Sequence, residues 1–213
     1  MARNKHPEAT VERILDVAQR LFLEKGYDQT TIQDIVDGLD GLTKGAVYHH
    51  FKSKEEIMSA VGNRMFFGNN PFEAVRTRTD LNGLEKLREA VRLNQADEAR
   101  SRMTVQAVPI TQNPRVLVEM IESNRRVLTP HFLQLIEEGN RDGSIHTDYP
   151  REIAELLPLL TSLWLLPSVF PSTPEELAHK FRFIGEMLEK MGLPLFDDSI
   201  RALVDDFLAQ MAL

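Results

Sequence analysis

The fold is decided by two short stretches of the sequence, Thr30-Thr-Ile-Gln-Asp-Ile-Val36 and Thr43-Lys-Gly-Ala-Val-Tyr-His-His-Phe-Lys-Ser-Lys-Glu-Glu-Ile57. In the first stretch, Thr30 stands three residues before Gln33, which is the spacing of a capping box. A capping box satisfies two backbone N–H groups at the start of a helix. The pair therefore predicts a helix that runs to about residue 39.

The second stretch predicts two further helix starts. Asp40-Gly41 indicates a turn, and Thr43 after it is a favoured N-cap for a third helix over about 44–51. Ser53 and Glu56 have the spacing of another capping box, which predicts the start of a fourth helix. A short helix, a glycine-containing turn and a second short helix are the pattern of a helix-turn-helix.

The residues before these stretches complete a small helical module. Apolar side chains at Ile14, Ala18 and Phe22 share one helical face, which predicts a first helix from near Thr10. Gly26 then provides a favoured C-terminal cap. The first quarter of the chain is therefore predicted to be a three-helix module followed by the start of a fourth helix.

The remainder of the chain also has the apolar period of helices, with no alternating strand pattern. Pro130 should kink the helix that contains it, because proline removes a backbone hydrogen bond. The residues from Gly68 to Gly83 are predicted to form a connecting loop. We therefore expect an all-α fold. The helices predicted for the larger part span about 54–67, 84–107, 114–138, 150–166, 174–191 and 199–212.

Composition excludes several classes of protein. The chain has 213 residues, a formal net charge of -7 and no cysteine, which excludes a disulfide framework, a thiol nucleophile and a cysteine-ligated metal site. The longest apolar run, Leu156–Leu166, is interrupted by polar residues and is shorter than the roughly 20 residues that a membrane span requires. The amino terminus lacks the apolar run of a secretory signal, so we expect a cytoplasmic protein without membrane contact.

The acidic net charge argues against general binding of nucleic acid, but the charge is unevenly distributed. Residues 1–56 contain eight Lys or Arg against ten Asp or Glu. No carboxylate occurs between Asp40 and Glu55, and this span contains Lys44, Lys52 and Lys54. The distribution favours a narrow, oriented contact with DNA over a basic coat.

The residue types of the predicted third helix suit a DNA duplex. The Thr43 hydroxyl can bind a phosphate, and Lys44 can neutralise a phosphate or reach a guanine edge. Gly45 and Ala46 lack bulk, so the backbone can approach the groove closely and the Ala46 methyl can contact a thymine methyl. The start of this helix is therefore predicted to lie in the major groove.

Side chains farther along the helix are predicted to fix its position on the DNA. Tyr48, His49 and Lys54 can hydrogen-bond to phosphates, which set register without carrying sequence information. Thr31, at the start of the second helix, is a further candidate contact, whereas Val47 is expected to face the core. The predicted DNA-binding residues are Thr31, Thr43, Lys44, Gly45, Ala46, Tyr48, His49 and Lys54.

Catalytic and metal-binding motifs are missing from the sequence. His49 and His50 are neighbours on a predicted helix and point about 100° apart, whereas a helical metal pair needs i, i+4 spacing. There is no phosphate-cradling glycine loop and no nucleophile motif. We therefore expect a protein that is not an enzyme, with no metal, no cofactor and no catalytic residue.

The two quoted stretches resemble the amino-terminal signature of TetR-family transcriptional regulators. The resemblance covers about residues 10–58 closely, and Tyr48, Phe51 and Lys54 lie at its most characteristic positions. It implies a homodimer in which residues 1–53 form a helix-turn-helix domain that binds double-stranded operator DNA. It also implies that residues 54–213 form a larger helical ligand-binding and dimerisation domain. Such a protein is usually a repressor that a small-molecule effector releases from DNA, with helix 54–67 linking the two domains.

The turn between the second and third helices departs from the family pattern. Val36-Asp-Gly-Leu-Asp-Gly-Leu42 contains one residue more than usual, and Gly38 lies near the end of the predicted helix. Glycine costs a helix about 1 kcal/mol relative to alanine. We therefore expect a wider turn.

Polar residues on apolar helical faces are the candidate ligand contacts. Asn94 and Glu98 continue the face of one predicted helix, and Asn124 and His131 continue that of the next. Burying an unpaired polar group costs about 1–3 kcal/mol, so each needs either an internal hydrogen bond or a ligand. Large apolar side chains either form the core or line the same cavity. The candidate ligand-binding residues are Phe66, Asn94, Glu98, Met103, Met120, Asn124, His131 and Trp164.

The last three predicted helices have apolar faces broad enough for more than one packing partner. Phe183 and Met187 extend the face of helix 174–191 onto a second side, which favours a subunit interface shared with helix 150–166. The alternative is that packing within the monomer covers this extra apolar face. The alternative to a ligand-responsive repressor is a helical module that binds a ligand or a protein and carries a non-functional DNA-binding head.

Overall fold

The computed structural model describes residues 7–107, 111 and 113–211, and over these residues the chain is helical, without a β-strand. None of the helices in the described ranges is long and apolar enough to cross a membrane. The helices are α1 (Pro7–Lys25), α2 (Ile32–Asp37), α3 (Lys44–His50), α4 (Lys54–Gly68), α5 (Pro71–Arg76), α6 (Gly83–Ala96), α7 (Glu98–Ala107), α8 (Pro114–Ser123), α9 (Thr129–Asp142), α10 (Pro150–Leu159), α11 (Pro174–Lys190) and α12 (Asp198–Met211).

The helices form two compact units. The first unit comprises Met1–Asn69 with Glu98–Ile110, and the second comprises Asn70–Asp97 with Thr111–Leu213. The all-α architecture expected from the sequence, with an amino-terminal helix-turn-helix and a helical bundle, is confirmed. The functional boundary between residues 53 and 54 stays a prediction, because compactness does not define where one function ends.

In the first unit, α1 packs against both α4 and α7, while α2 packs against α1 and α3. Apolar side chains from four of these helices are sealed from solvent in one core, as their helical spacing requires. This core sets the position of α3 on the surface of the unit. Its fully buried members include Ile14, Ala18, Phe22, Ile35, Val47, Ile57 and Val61.

The start of α2 differs by one residue from the prediction. Thr31, not Thr30, is the N-cap: its hydroxyl accepts the Asp34 N–H at 3.1 Å, and the Asp34 carboxylate accepts the Thr31 N–H at 2.7 Å. Thr30 is instead buried, and its hydroxyl donates to the Gly26 carbonyl at 2.8 Å. Both threonines have a suitable residue three positions later, and burial of Thr30 decides between them.

The start of α4 is also only partly as expected. The Ser53 hydroxyl accepts the Glu56 N–H at 3.2 Å, as a cap should. The Glu56 carboxylate accepts the Lys52 N–H at 2.6 Å. The N-cap at Ser53 is therefore confirmed. The Glu56 side chain accepts the N–H of Lys52, one residue before the N-cap.

The second unit is built around α9, which packs against α6 and α10. The α6 and α9 backbones approach closely at Gly83 and Gly139, where a Cβ on Gly83 would lie 2.2 Å from the Gly139 nitrogen. The buried Lys86 ammonium on α6 pairs with Glu138 on α9. Backbone contact and charge pairing thus fix α6 against α9.

Two predicted helices of the second unit contain a π-helical turn. One turn, Asn124–Leu128, precedes Pro130, where proline lacks an N–H and its ring crowds the carbonyl one turn earlier. The other, Leu160–Trp164, follows Pro158 within the predicted helix 150–166. A widened turn thus precedes Pro130, and the kink expected there stays a prediction.

Two other boundaries were predicted wrongly. The helix expected over 84–107 is two helices, interrupted at Asp97, whose φ and ψ are -80° and 89°. The loop expected between Gly68 and Gly83 contains the short helix α5, whose N-cap Asn70 accepts the Phe72 N–H at 3.0 Å. Proline in the first turn favours this start, because its missing N–H needs no partner there.

Candidate nucleic-acid interface

Helix α3 has one buried side and one solvent-exposed side. Thr43 caps it by accepting the Ala46 N–H at 3.3 Å. Val47 is fully buried, as predicted, whereas 41% of Tyr48 is exposed. Lys44, Gly45 and His49 are also exposed. Seven residues of helix thus present a basic and aromatic surface that is anchored to the core by a valine.

Among the other predicted contacts, Ala46 is half-buried beside this surface and Thr31 is exposed at the start of α2. The Thr31 hydroxyl also donates to Asp34 at 2.7 Å, and Lys25 pairs with the same carboxylate at 2.9 Å. The hydrogen bond from the Thr31 hydroxyl is the largest of the effects that hold the pKa of Asp34 far below its ordinary range, and the contact with Lys25 acts in the same direction. The start of α2 is therefore fixed beside the carboxyl end of α1.

The long turn between α2 and α3 is held in place by specific contacts. A Cβ on Gly38 would lie 2.7 Å from a Val17 methyl, so the glycine lets the end of α2 approach α1. The Arg13 guanidinium donates to the Asp40 carbonyl at 2.9 Å. Gly41 adopts a φ of 76°, which favours glycine. The extra residue is thus accommodated in an ordered turn, and Arg13 is a contributor that helical periodicity did not reveal.

Lys54 is half-buried, and its ammonium is partly occupied by the protein itself. It donates to the carbonyls of Tyr27 at 2.8 Å and Thr30 at 2.9 Å, and it lies 4.0 Å from the centre of the Tyr27 ring. Burial, followed by the charge of Glu55, raises the pKa of Tyr27. An ammonium has three donors, so one N–H of Lys54 remains for the predicted phosphate contact.

Three of the predicted ligand residues lie in the first unit. Met103 on α7 is buried, Glu98 at the start of α7 is exposed, and Phe66 lies in α4 with its side chain outside the described residues. Gln106 on the same helix α7 accepts the Tyr27 N–H at 3.1 Å. Helix α7 is therefore part of the first unit's packing.

The other predicted ligand residues lie in the second unit, where Asn124 and His131 contact neighbouring side chains. Asn124 is buried in the first π turn and donates to the Ser162 hydroxyl in the second π turn at 2.6 Å. His131 stacks on Phe72 with ring centres 5.0 Å apart. Burial, with the charge of Arg76 acting in the same sense and that of Glu73 opposing it, lowers the pKa of His131.

Trp164, Asn94 and Met120 are half-buried in this unit. The Trp164 carbonyl accepts a hydrogen bond from Lys180 at 3.2 Å, and the indole ring contacts Phe183 edge-on with centres 5.7 Å apart. Ser162 and Lys180 were not singled out from the sequence, because a serine in an apolar helix and a lysine on a polar face are common features.

Two open depressions lie on the surface of the second unit. One, of about 640 Å³, lies between Asp80 and Arg141, and the other, of about 540 Å³, lies beside Phe170 and His179. Neither is lined by a predicted ligand residue. The assignment of the predicted residues to a ligand site therefore stays a prediction.

The chain is similar to bacterial regulatory proteins, and the similarity includes the helix-turn-helix residues. A family model described as bacterial regulatory proteins of the tetR family matches residues 14–61. The HTH-type transcriptional repressor BepR of Brucella suis is 30% identical over 166 residues, which cover 72% of this chain and 78% of BepR. The Transposon Tn10 TetC protein of Escherichia coli is 37% identical over 74 residues, and the match spans 35% of this chain and only 36% of TetC.

Solved structures show the same fold. Salmonella enterica GusR aligns with a TM-score of 0.61 and 21% identity over 90% of this chain and 99% of GusR. A transcriptional regulator from Saccharomonospora viridis, solved in complex with choline, aligns with a TM-score of 0.56 and 21% identity over 85% and 96% of the two chains. At these identities the likeness concerns the fold.

Proposed function

This chain belongs to the TetR family of bacterial regulatory proteins, a family of DNA-binding transcriptional regulators and not of enzymes, and we propose that it is a transcriptional repressor without catalytic activity. In this proposal it binds a pseudo-palindromic operator as a homodimer, and a small molecule releases it from DNA. The proposed DNA contacts are Thr31, Thr43, Lys44, Gly45, Ala46, Tyr48, His49 and Lys54.

The observation that carries the proposal is the two-sided character of α3. Val47 is fully buried, so the helix cannot rotate its exposed side inward without losing its place in the core. Lys44 and Tyr48, one helical turn apart, are both exposed to solvent beside this anchor. A major groove admits one helix, which suits a short, capped helix with this surface.

Charge supports a selective contact with DNA. The net charge of -7 repels the phosphate backbone from most of the surface. The exposed Lys44 and the neighbouring polar side chains of α3 lie in the span without carboxylates between Asp40 and Glu55. An orientation in which α3 meets the duplex is therefore favoured over random association.

Selection from random duplexes tests DNA binding directly. The wild-type chain should enrich an inverted repeat with half-sites about one helical turn, roughly 34–36 Å, or a modestly larger distance apart. A Lys44→Ala, Tyr48→Ala double variant, selected in parallel, should enrich no such repeat. Failure of the wild type to enrich any reproducible sequence would favour the alternative of a non-functional head.

The proposed homodimer rests on the exposed apolar side of α11. Phe181 faces α12 through a ring contact with Phe207 at 6.1 Å, whereas 55% of Phe183 is exposed on another side of α11. The Phe183 ring contacts the Trp164 ring. Leu159, five residues before Trp164 in the sequence, is also exposed. An apolar surface of this kind is stabilised when a second copy covers it.

Oligomeric state after substitution tests this surface. The wild-type chain should sediment as a dimer, and Phe183→Glu should shift it to a monomer because a buried unpaired charge opposes association. Val118, which is 60% exposed on α8, provides the matched control, since Val118→Glu should leave the dimer intact. Dimerisation of Phe183→Glu at the wild-type concentration would contradict the assigned interface.

The proposed effector site involves the two π turns of the second unit. A π turn forms where the regular hydrogen-bond ladder is interrupted, and such turns occur often at functional sites. Here a hydrogen bond between the Asn124 and Ser162 side chains joins the two turns. In the proposed site, a ligand replaces this hydrogen bond and binds both polar groups. The remaining proposed contacts in this unit are Asn94, Met120, His131 and Trp164.

Native mass spectrometry of the purified chain tests effector binding even while the ligand is unidentified. A retained small molecule should appear with the wild type and be lost when Asn124 and Ser162 are both replaced by alanine. The Ser172→Ala variant, which alters an exposed hydrogen bond to the Phe170 carbonyl, provides the control. Equal retention by all three proteins would remove the π turns from the proposed site.

A further inference from the structure

Arg64 ties the far end of α4 to α1 within the first unit. One of its terminal nitrogens lies 2.7 Å from an Asp16 carboxylate oxygen and 3.1 Å from a Glu12 carboxylate oxygen. The other donates to the Gln19 side-chain carbonyl at 2.6 Å. Glu12, Asp16 and Gln19 follow i, i+4, i+7 spacing, so a single guanidinium bridges two turns of α1.

The opposite end of α4 is fixed as well. Lys54 binds the carbonyls of the turn that joins α1 to α2, and between the two cations Ile57 and Val61 are fully buried. Helix α4 is therefore held at its start, along its apolar face and at its end. It packs within the unit that carries α3, and its role as a linking helix stays a prediction.

A planar guanidinium restrains the geometry more than a point charge does. The N–H donors of a guanidinium point in fixed directions. Arg64 therefore binds Asp16 and Gln19 at the same time in one relative position of α1 and α4. A lysine at the same place has a flexible stem and would retain attraction without the same directional restraint. The side chain therefore adds a directional restraint to the position of α4 on α1.

We propose that Arg64 is a positioning residue that sets the half-site spacing of the operator without contacting DNA. The inference rests on the proposed function as a dimeric DNA-binding protein. Each base pair added between half-sites changes their separation by about 3.4 Å and their relative rotation by about 34–36°. A first unit that is rigid from α1 to α4 accepts one spacing, whereas a loosened α4 lets α3 adapt to several.

The acidic partners of Arg64 are exposed, so its positioning role can be tested separately from any effect on folding stability. The Asp16 and Glu12 side chains are 70% and 62% exposed, and ion pairs in such positions contribute little to folding stability. The apolar contacts of α4 remain when Arg64 is replaced by methionine. Arg64→Met should therefore fold and retain its helicity while it loses the directional restraint.

The experiment uses the full chain and the duplex that it selects, with the central spacer shortened or lengthened by one and two base pairs. For the wild type, a change of one base pair should weaken binding about tenfold, within the range that a mismatched base pair costs. Arg64→Met should reduce this discrimination to about threefold or less, and Arg64→Lys should fall between them. Arg20→Met, which removes an exposed pair with Glu24 on α1, should match the wild type.

Salt dependence distinguishes positioning from contact. The slope of log affinity against log salt should be the same for Arg64→Met and the wild type, because no phosphate contact is removed. Unchanged spacing discrimination in both Arg64 variants would overturn the inference, and so would a slope reduced by about one. If Arg64→Met failed to fold, the comparison of Arg64→Lys with Arg20→Met would decide. Absence of any selected duplex for the wild type would instead overturn the proposed function and this inference with it.

Discussion

Replacement of Lys54 by methionine tests how the start of α4 is held. Methionine keeps an unbranched stem of similar size and removes the ammonium. The substitution therefore leaves the carbonyls of Tyr27 and Thr30 without the donor that the structure places at 2.8 and 2.9 Å. It also removes the cation that lies 4.0 Å from the centre of the Tyr27 ring.

The magnitude follows from these contacts. A hydrogen bond to a charged group contributes about 1.5–3 kcal/mol, and a cation over an aromatic ring about 0.5–1 kcal/mol at an exposed site. The two hydrogen bonds share one ammonium and do not add fully. We therefore expect the free energy of unfolding to fall by about 3 kcal/mol. For a chain of this length that corresponds to a Tm lower by about 6–12 °C.

Thermal unfolding followed by circular dichroism measures this change. Lys52→Met is the matched control, because Lys52 is an exposed lysine two residues away. A Tm of Lys54→Met within 2 °C of the Lys52→Met value would show that the Lys54 ammonium does not stabilise the fold. The same protein tests the predicted phosphate contact: if the third N–H of Lys54 reaches a phosphate, the salt slope of operator binding falls by about one.

Three further predictions concern caps, close packing and pH. Thr31→Ala should lower the free energy of unfolding by about 1 kcal/mol through loss of the α2 cap; chemical denaturation measures it, and an unchanged midpoint would contradict the corrected N-cap. Gly83→Ala should destabilise the chain because its Cβ would meet the Gly139 backbone, whereas Gly62→Ala, with open space around it, should stabilise by about 0.5–1 kcal/mol; opposite shifts in Tm are expected. The folded state lowers the pKa of His131, so it binds fewer protons than the unfolded state, and stability should fall as the pH drops through about 6.5. Between pH 7.5 and 5.5 the wild-type Tm should fall more than that of His131→Phe; equal decreases would contradict this.

The local architecture of the first unit could be predicted from sequence because caps and helical periodicity act over a few residues. The third helix begins at Lys44 after its Thr43 cap, and Val47 is buried, both as expected. The cap of α2 was displaced by one residue because Thr30 and Thr31 satisfy the same local rule. The contact between the Thr30 hydroxyl and Gly26, which depends on the fold of the preceding turn, separates them.

Contacts between distant residues could not be predicted in the same way. The charge of Lys54 indicated a phosphate contact, but its hydrogen bonds to carbonyls 24 and 27 residues away required the folded structure. The π turns and helix α5 also depend on packing that overrides the average helical period. Asn124 illustrates the consequence for the ligand site. The sequence shows that this polar residue interrupts an apolar helical face, but it does not show that Ser162 is its hydrogen-bond partner.

Recognition of DNA by α3 is tested by the affinity of Lys44→Ala for the selected duplex at physiological salt. Lys190→Ala, which alters an exposed lysine at the end of α11, is the control. We expect Lys44→Ala to bind at least tenfold more weakly, within the range of one specific base or phosphate contact. The salt slope should fall by about one if the lysine contacts a phosphate. An affinity equal to that of Lys190→Ala would contradict recognition of DNA by α3.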